Sequence, residues 1–390
     1  MDLSVLSATV VFAGIPISGF GVVLALALLL IGLVSLFFFW AREVKRPLSL
    51  SRSAKNPILT PRSDVWWESE AVFNPAAIYD HGRVHLFYRA MGSDGISRIG
   101  YASSRDGIHF DDRPREPMYA PTRDFGIPER KRIWGPLSYS QHHYPSGGGW
   151  GGTEDPRAVK IDGQVFMTFV AFDGWGFVRM AVNSLLLEHF RTRKWNWKNP
   201  SFLSPPNEIH KNWVLFPEKI GGRYAILHSI SPPKLSIEYV DSLDEFDGSK
   251  FIESRYNRDG RPGFWDASMR GAGAPPIKTS EGWLLFYHGM DPAHQEIGYK
   301  VGVMLLDLED PTKVLFRSKY PVLEPREWYE NEWKYGVIMA TGAVVVGQDL
   351  LVYYGGGDKH IGVARANLRD FLRKLTHEEH ATVEPVVYSQ

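Results

Sequence analysis

The sequence predicts an all-β fold, a five-bladed β-propeller preceded by one N-terminal transmembrane helix. Three observations carry that reading: a loosely repeated strand pattern, a composition rich in aromatics, glycine and proline, and one charge-free apolar run near the N-terminus. The repeat decides the fold class. Five times a short apolar strand ends in aromatics or histidine and is followed by glycine or a charge: VHLFYRA (84–90), VFMTFVAFDG (165–174), YAILHSIS (224–231), WLLFYHG (283–289) and LLVYYGGGD (350–358). Behind several stands a second strand: RIGYASSRDGIHF (98–110), VRMAVNS (178–184), YKVGVMLLDLEDP (299–311) and HIGVARANL (360–368). These segments alternate or run apolar, as half-buried or fully buried strands do. They recur at about 60–80 residues, the spacing of four-stranded blades lengthened by loops. A β-sandwich gives no reason for five similar polar endings. Blades converge on an axis and bring Arg89, His288 and Asp358 together from across the chain.

The apolar run comes first in the chain. From Gly21 to Trp40 it reads GVVLALALLLIGLVSLFFFW, with no charge. About 20 apolar residues cross a ~30 Å hydrocarbon core as a helix. The junction FFFW-AREVKR offers no small-residue cleavage site, so residues 1–46 read as an uncleaved membrane anchor rather than a signal peptide. Arg42, Lys45, Arg46, Arg52 and Lys55 follow the run and no basic residue precedes it. The positive-inside rule then gives a single-pass membrane protein with a cytoplasmic C-terminal part and membrane lipid as a partner. Residues 47–56, rich in serine and basic residues, read as a linker, and 57–390 as one continuous propeller domain.

Composition removes several function classes. The 390 residues are 44% hydrophobic and 23% charged, which excludes wholesale disorder. Forty-four basic and 44 acidic residues cancel, so there is no electrostatic footprint for nucleic acid. The chain has no cysteine, which excludes disulfides, iron–sulfur clusters, thiolate zinc sites and cysteine nucleophiles. HExxH, GxxxxGK[ST] and GxSxG are all missing, so His142-His143 is not read as a metal site, and no metal or cofactor is expected.

The sharpest local signal is GGGWGGTEDPRAVKIDGQVFMTF (147–169), where Glu154-Asp155-Pro156-Arg157 lies between a glycine tract and a strand. Asp-Pro alone is an ordinary turn. Glycines beside it let a bulky ligand approach the backbone. The other polar residues have plain readings too: Asn74 before Pro75 as a turn residue, Arg89 as a carboxylate partner, His288 as a core histidine, Lys278 as a solvated loop lysine, ERKR (129–132) as a solvated loop. Trp66, Trp67, Trp195 and Trp197 either stack on sugar rings or fill the core, and the core is the expectation.

Taken together, FNPAAIYDHGRVHLFYRAMGSDGISRIGYASSRDGIHF, GGTEDPRAVKIDG, WVLFPEKIGGRYAILH, GAGAPPIKTSEGWLLFYHG, YKVGVMLLDLEDPTKVL and VYYGGGDKHIGVA resemble glycoside hydrolase family 130, the β-mannoside phosphorylases and β-mannosidases. The resemblance runs from about Asn56 to about Phe371 and implies a five-bladed propeller that cleaves or forms β-mannosidic bonds. It implies Asp155 as the lone catalytic acid, protonating the glycosidic oxygen through a hydroxyl of the bound mannose. Asn74, Arg89 and Asp358 match positions that hold the sugar before the cleaved bond. Lys211, Lys278, His288 and Tyr299 fall at or near phosphate-binding positions, with inorganic phosphate as co-substrate and mannose 1-phosphate as product. At Ser229, in LHSISPP, phosphorylases usually carry arginine. Inverting hydrolysis is the alternative and needs a second carboxylate roughly 6.5–9.5 Å from the acid, for which Glu218, Asp266 and Glu330 are candidates. A membrane-tethered glycan-binding propeller is the second alternative, and a homo-oligomer stays open.

Overall fold

The structure is a computed structural model that describes residues 9–12, 15–44, 48–122, 149–172, 178–231, 234–255, 259–291, 293, 298–377 and 381–383. His142-His143, ERKR (129–132) and the first glycines of the 147–152 tract lie outside the described residues. The chain divides into two compact units, Met1–Pro47 and Leu48–Gln390.

In the first unit, β1 (Thr9–Phe12) pairs antiparallel with β2 (Ile15–Ser18), and helix α1 (Gly19–Val44) follows. Among the described residues no helix is long and apolar enough to cross a membrane. This overturns the expected single-pass placement, and it gives no support to the expected anchor or lipid partner.

The second unit is all-β, with two short helices. After β3 (Ser51–Arg52) come five modules of antiparallel strands. The first is β4 (Ala71–Asp80), β5 (Arg83–Met91) and β6 (Ile96–Ser104). The second is β7 (Gly151–Ile161), β8 (Gln164–Phe172), β9 (Val178–Leu186), helix α2 (Leu187–Arg191) and β10 (Ser201–Phe202). The third is β11 (Val214–Leu215), β12 (Tyr224–Ser231) and β13 (Lys234–Val240). The fourth is β14 (Ser268–Ala272), β15 (Ile277–Lys278), β16 (Trp283–Met290), β17 (Lys300–Leu306) and β18 (Val314–Ser318). The fifth is β19 (Ile338–Val346), β20 (Asp349–Gly356) and β21 (His360–Asn367), followed by α3 (Leu368–Leu375) and by β22 (Ala381–Val383), which returns to pair with β18.

Alternation along each strand explains the near-continuous apolar runs. In β5, Val84, Leu86, Tyr88 and Ala90 join a cluster with Val344, Leu351, Tyr353 and Ile361 of the fifth module. Phe87 points the other way, into a cluster with Met167 and Phe169 of the second module. Every module is sandwiched likewise: modules two and three share a cluster, as do three and four, and four and five. The sheets therefore bury both faces, and strands apolar on both sides follow. The first strands also touch in sequence, β4 with β7, β7 with β11 and β19 with β4.

Residues 47–56, expected as a linker, are largely built into this body. Leu48 and Leu50 are buried in the cluster shared by modules four and five. Ser51 and Arg52 pair with Arg365 and Ala364 of β21, and Asn56 donates to Val363 O at 3.0 Å.

A device repeated three times fixes the module edges. Each copy begins with two aromatics and an acid: Trp66-Trp67-Glu68, Phe264-Trp265-Asp266 and Trp328-Tyr329-Glu330. The acid is fully buried in all three. It accepts from a tyrosine hydroxyl of the module's central strand, Tyr88 at 2.8 Å, Tyr287 at 2.7 Å and Tyr354 at 2.9 Å. Arginines complete it: Arg62 and Arg113 on Glu68, Arg261 and Arg317 on Asp266, Arg52 on Glu330. Each tyrosine ring lies where a side chain on the facing glycine, Gly100, Gly302 or Gly362, would stand. That is the physical content of the FYRA/RIG, FYHG/KVG and VYYG/HIG pattern. Removing one partner of a buried ion pair costs about 3–5 kcal/mol, so Glu330→Ala is expected to lower the denaturant midpoint strongly. An unchanged midpoint in equilibrium unfolding would show that the ion pair contributes no net stability.

Candidate active site

Two bulges build the centre of the site. The β4–β5 pairing skips from Phe73 to Ala76, and the β7–β8 pairing from Glu154 to Arg157. The residues left out are Asn74-Pro75 and Asp155-Pro156; proline has no N–H to lose at such a position. Asn74 (φ 46°) and Asp155 (φ 47°) take the left-handed conformation, which Asn and Asp adopt more readily than other side-chain-bearing residues. The two side chains meet: Asn74 Nδ2 donates to Asp155 Oδ1 at 2.7 Å.

Arg89 organises the acids. Its Nη1 donates to Asp155 Oδ1 at 3.2 Å, its Nη2 to Glu154 Oε1 at 2.8 Å and its Nε to Ser97 Oγ at 2.9 Å. At 1% exposure it is enclosed, so it holds the carboxylates in place rather than reaching out to a sugar. Lys211 Nζ donates to Glu154 Oε2 at 3.4 Å. Burial pushes the Asp155 carboxyl up, but Arg89, Lys211, Arg157 and the Asn74 bond outweigh it and hold it at about 2. Without ligand, Asp155 is a carboxylate at neutral pH.

From Asp155 a circuit of contacts passes through all five modules. Arg157 Nη1 donates to Asp155 O at 2.7 Å and its Nη2 to Asn212 Oδ1 at 3.1 Å. Asn212, also left-handed (φ 64°), donates to Arg270 O at 2.6 Å. The Arg270 guanidinium lies 5.0 Å from the Tyr299 ring centre, and Lys334 Nζ 5.3 Å from the same ring. Lys334 pairs with Asp358 at 3.5 Å, and the charge of Asp358 (φ 53°) acts in turn on Arg89. Asn74, Arg89, Asp155, Tyr299 and Asp358, all singled out in the sequence, thus belong to one constellation.

Beside it lies a cleft lined by Lys211, Asn212, His228, Ser229, Arg255 and Gly271. His228 sits at a register shift in β12, and its Nδ1 bonds Ser254 Oγ at 2.8 Å. That bond ties the segment carrying Arg255 to the strand carrying Ser229. Arg255 therefore lines the cleft although residue 229 is serine.

Two expectations need correction. Lys278 is exposed, pairs with Glu218 and stands opposite Trp283 on β16. It is five residues from His288 along that strand, about 16 Å, and does not join the cleft. His288 is fully buried, and its Nε2 accepts from Ala340 N at 2.8 Å. Burial, with the Arg157 charge, holds its pKa at about 3, so it is neutral and offers no charge to an anion. The proton then sits on Nδ1, a buried atom without a partner among the described residues. The three possible water-activating carboxylates are also engaged elsewhere: Glu218 with Lys278, and Asp266 and Glu330 inside the arginine–tyrosine edges.

Sequence reading missed Asn212, Arg255, Arg270 and Lys334. For Asn212 a signal existed: it precedes the inner strand of its module, as Asn74 and Asp155 stand at the head of theirs. Arg255 is brought in by a loop contact that no pattern encodes.

The family profile Glyco_hydro_130, described as beta-1,4-mannooligosaccharide phosphorylase, matches residues 145–377. A 1,2-beta-oligomannan phosphorylase from Thermoanaerobacter sp. (strain X514) is 37% identical over 83% of this chain and 99% of its own length. A beta-1,2-mannobiose phosphorylase of the same organism is 36% identical over 81% of this chain and 96% of its own. Among solved structures, the beta-1,2-mannobiose phosphorylase from Listeria innocua in complex with beta-1,2-mannobiose aligns with a TM-score of 0.61 at 25% identity, covering 84% of this chain and 99% of that one. With the profile match over residues 145–377 and relatives 37% and 36% identical over most of its length, the chain belongs to glycoside hydrolase family 130.

Proposed function

We propose that this protein is an inverting β-mannoside phosphorylase acting on β-1,2-linked mannosides, with Asp155 as the acid. Phosphate attacks the anomeric carbon from the face opposite the leaving group, the glycosidic C–O bond breaks, and the leaving oxygen takes a proton that originates on Asp155. The products are mannose 1-phosphate and the shortened saccharide. The observation that carries the reading is the cleft beside Asp155, which is lined by Lys211 and Arg255 and, among the described residues, by no carboxylate, Glu154 lying behind Lys211. Two cations suit a dianion and give nothing to a neutral water. Asn74, Arg89 and Asp358 hold and orient the groups around the sugar, Tyr299 stands between Arg270 and Lys334 in the same constellation, and the Nδ1–H of His288 is a neutral donor for an oxygen ligand.

Anion binding also restores the acid. Asp155 is held ionised partly by Lys211, and a phosphate on that lysine offsets its charge and moves the carboxyl up towards a proton-donating state. In the same reading the five modules are the blades of a five-bladed propeller, supported by apolar clusters between each consecutive pair and between the fifth and the first. The 37% and 36% identical relatives support the β-1,2 linkage.

The test is product analysis. The full chain incubated with β-1,2- and β-1,4-mannobiose, with and without phosphate, is expected to form mannose 1-phosphate from the β-1,2 isomer only when phosphate is present. Free mannose released at the same rate without phosphate would overturn phosphorolysis in favour of hydrolysis.

A further inference from the structure

The first aromatic of each repeated tripeptide is left over from packing. Trp66, Phe264 and Trp328 are 61%, 40% and 62% exposed, while the acid two residues later is fully buried in each case. Each aromatic is braced on one side: the Arg98 guanidinium lies 4.5 Å from the Trp66 ring centre, Arg261 4.6 Å from Phe264, and the His360 and Tyr329 rings edge-on at 5.4 and 5.7 Å from Trp328. Most of each ring nevertheless stays open to solvent.

Their location is set by glycines. A side chain on Gly92 would collide with the Trp66 carbonyl, one on Gly289 with Asp266, and one on Gly356 would press on the Tyr329 carbonyl. Gly92 is three residues past Arg89, Gly289 follows His288 directly, and Gly356 is two residues before Asp358. Three residues of strand are about 10 Å, so each turn packs against a strand end that lies within about that distance of Arg89, His288 or Asp358. Three modules thus carry the same feature at the same place on their central strands.

We propose that Trp66, Phe264 and Trp328 are stacking platforms for the pyranose rings of an oligosaccharide reaching out of the site, so that the rim reads chain length beyond the cleaved bond. A pyranose suits such a surface: its C–H face is apolar and covers the open side of the ring, and its hydroxyls stay in water. Planar aromatics present this area at little entropic cost, since each has only two side-chain torsions to fix. The inference rests on the mannoside reading for the identity of the sugar, but its test does not need turnover.

The test is calorimetric binding of β-1,2-linked mannobiose and mannotetraose to the full chain without phosphate. The wild type is expected to bind the tetraose more tightly. Trp66→Ala and Trp328→Ala are each expected to weaken tetraose binding by about two- to ten-fold, the size of one aromatic contact, and to leave mannobiose binding unchanged. Trp328→Phe should retain most of the preference. A wild type with no length preference, or variants that lose both lengths equally, overturns the proposal. Phosphate added to the same samples separates the two readings. Length preference lost in the variants, with no mannose 1-phosphate ever formed by the wild type, sinks phosphorolysis and leaves the platforms. Mannose 1-phosphate formed by a protein whose length preference the variants do not alter does the reverse.

Discussion

Asp155→Asn is expected to cut formation of mannose 1-phosphate by about 10²–10⁴-fold, the usual contribution of a general acid, and to leave mannoside binding nearly intact. Asparagine keeps the shape of the side chain and a carbonyl oxygen for the Asn74 and Arg89 donors, but it has no proton to give. The loss should depend on the leaving group. Aryl mannosides, whose leaving oxygen needs little protonation, should retain much more activity than mannobiose. Equal rates in the variant and wild type on mannobiose would remove Asp155 from the mechanism. A variant that no longer binds mannobiose would instead make Asp155 part of the sugar grip.

The second large effect concerns phosphate. Lys211→Ala and Arg255→Ala are each expected to raise the KM for phosphate about 10- to 100-fold, as loss of one charged hydrogen bond worth about 1.5–3 kcal/mol requires. The KM for mannobiose should change little for Arg255→Ala. Lys211 also pairs with Glu154, so its variant should in addition move the pH dependence of turnover: losing that cation raises the pKa of Asp155, which is held low from its usual value. Lys278→Ala, on β15 opposite the start of β16, should leave both constants as they are. A phosphate KM that responds to Lys278 and not to Arg255 would put the anion elsewhere.

The sequence revealed the strands and the acid better than the sources of charge. FYRA, FYHG and YYGGG marked three central strands because a tyrosine facing a glycine in the next strand leaves a local trace. Asp155 stood out because Asp-Pro inside an otherwise strand-like run demands a bulge. What could not be read was which side of a strand a polar residue faces relative to its neighbours. Lys278 and His288 lie ten residues apart and look like companions, yet the antiparallel turn between β15 and β16 sends one to each end of the sheet. Arg255 was hidden for the opposite reason: it follows no strand, and a single His228–Ser254 hydrogen bond brings it to Ser229. Asp266 and Glu330 passed as catalytic candidates because burial by arginine and burial by substrate leave the same residue type behind. The reading of 47–56 as a linker failed because serine and basic residues also suit an edge strand.

That edge strand decides when the molecule can be finished. Ser51 and Arg52 are among the first residues of the body to leave the ribosome, yet Arg52 must wait for Glu330, 278 residues later, and β3 for β21 later still. Modules two and three are closed by contacts between neighbours and can settle as they emerge, while β18 of module four waits for β22. The last seam closes by a long-range encounter, the kind of step that slows folding. From the time β21 emerges until β3 docks, β21 presents an unpaired edge to its surroundings, as edge strands do when nothing covers them. A second chain with its own β3 free could fill that edge in place of the cognate strand. Crowded synthesis therefore favours exchange of N-terminal segments between copies, and dilution during refolding favours correct closure.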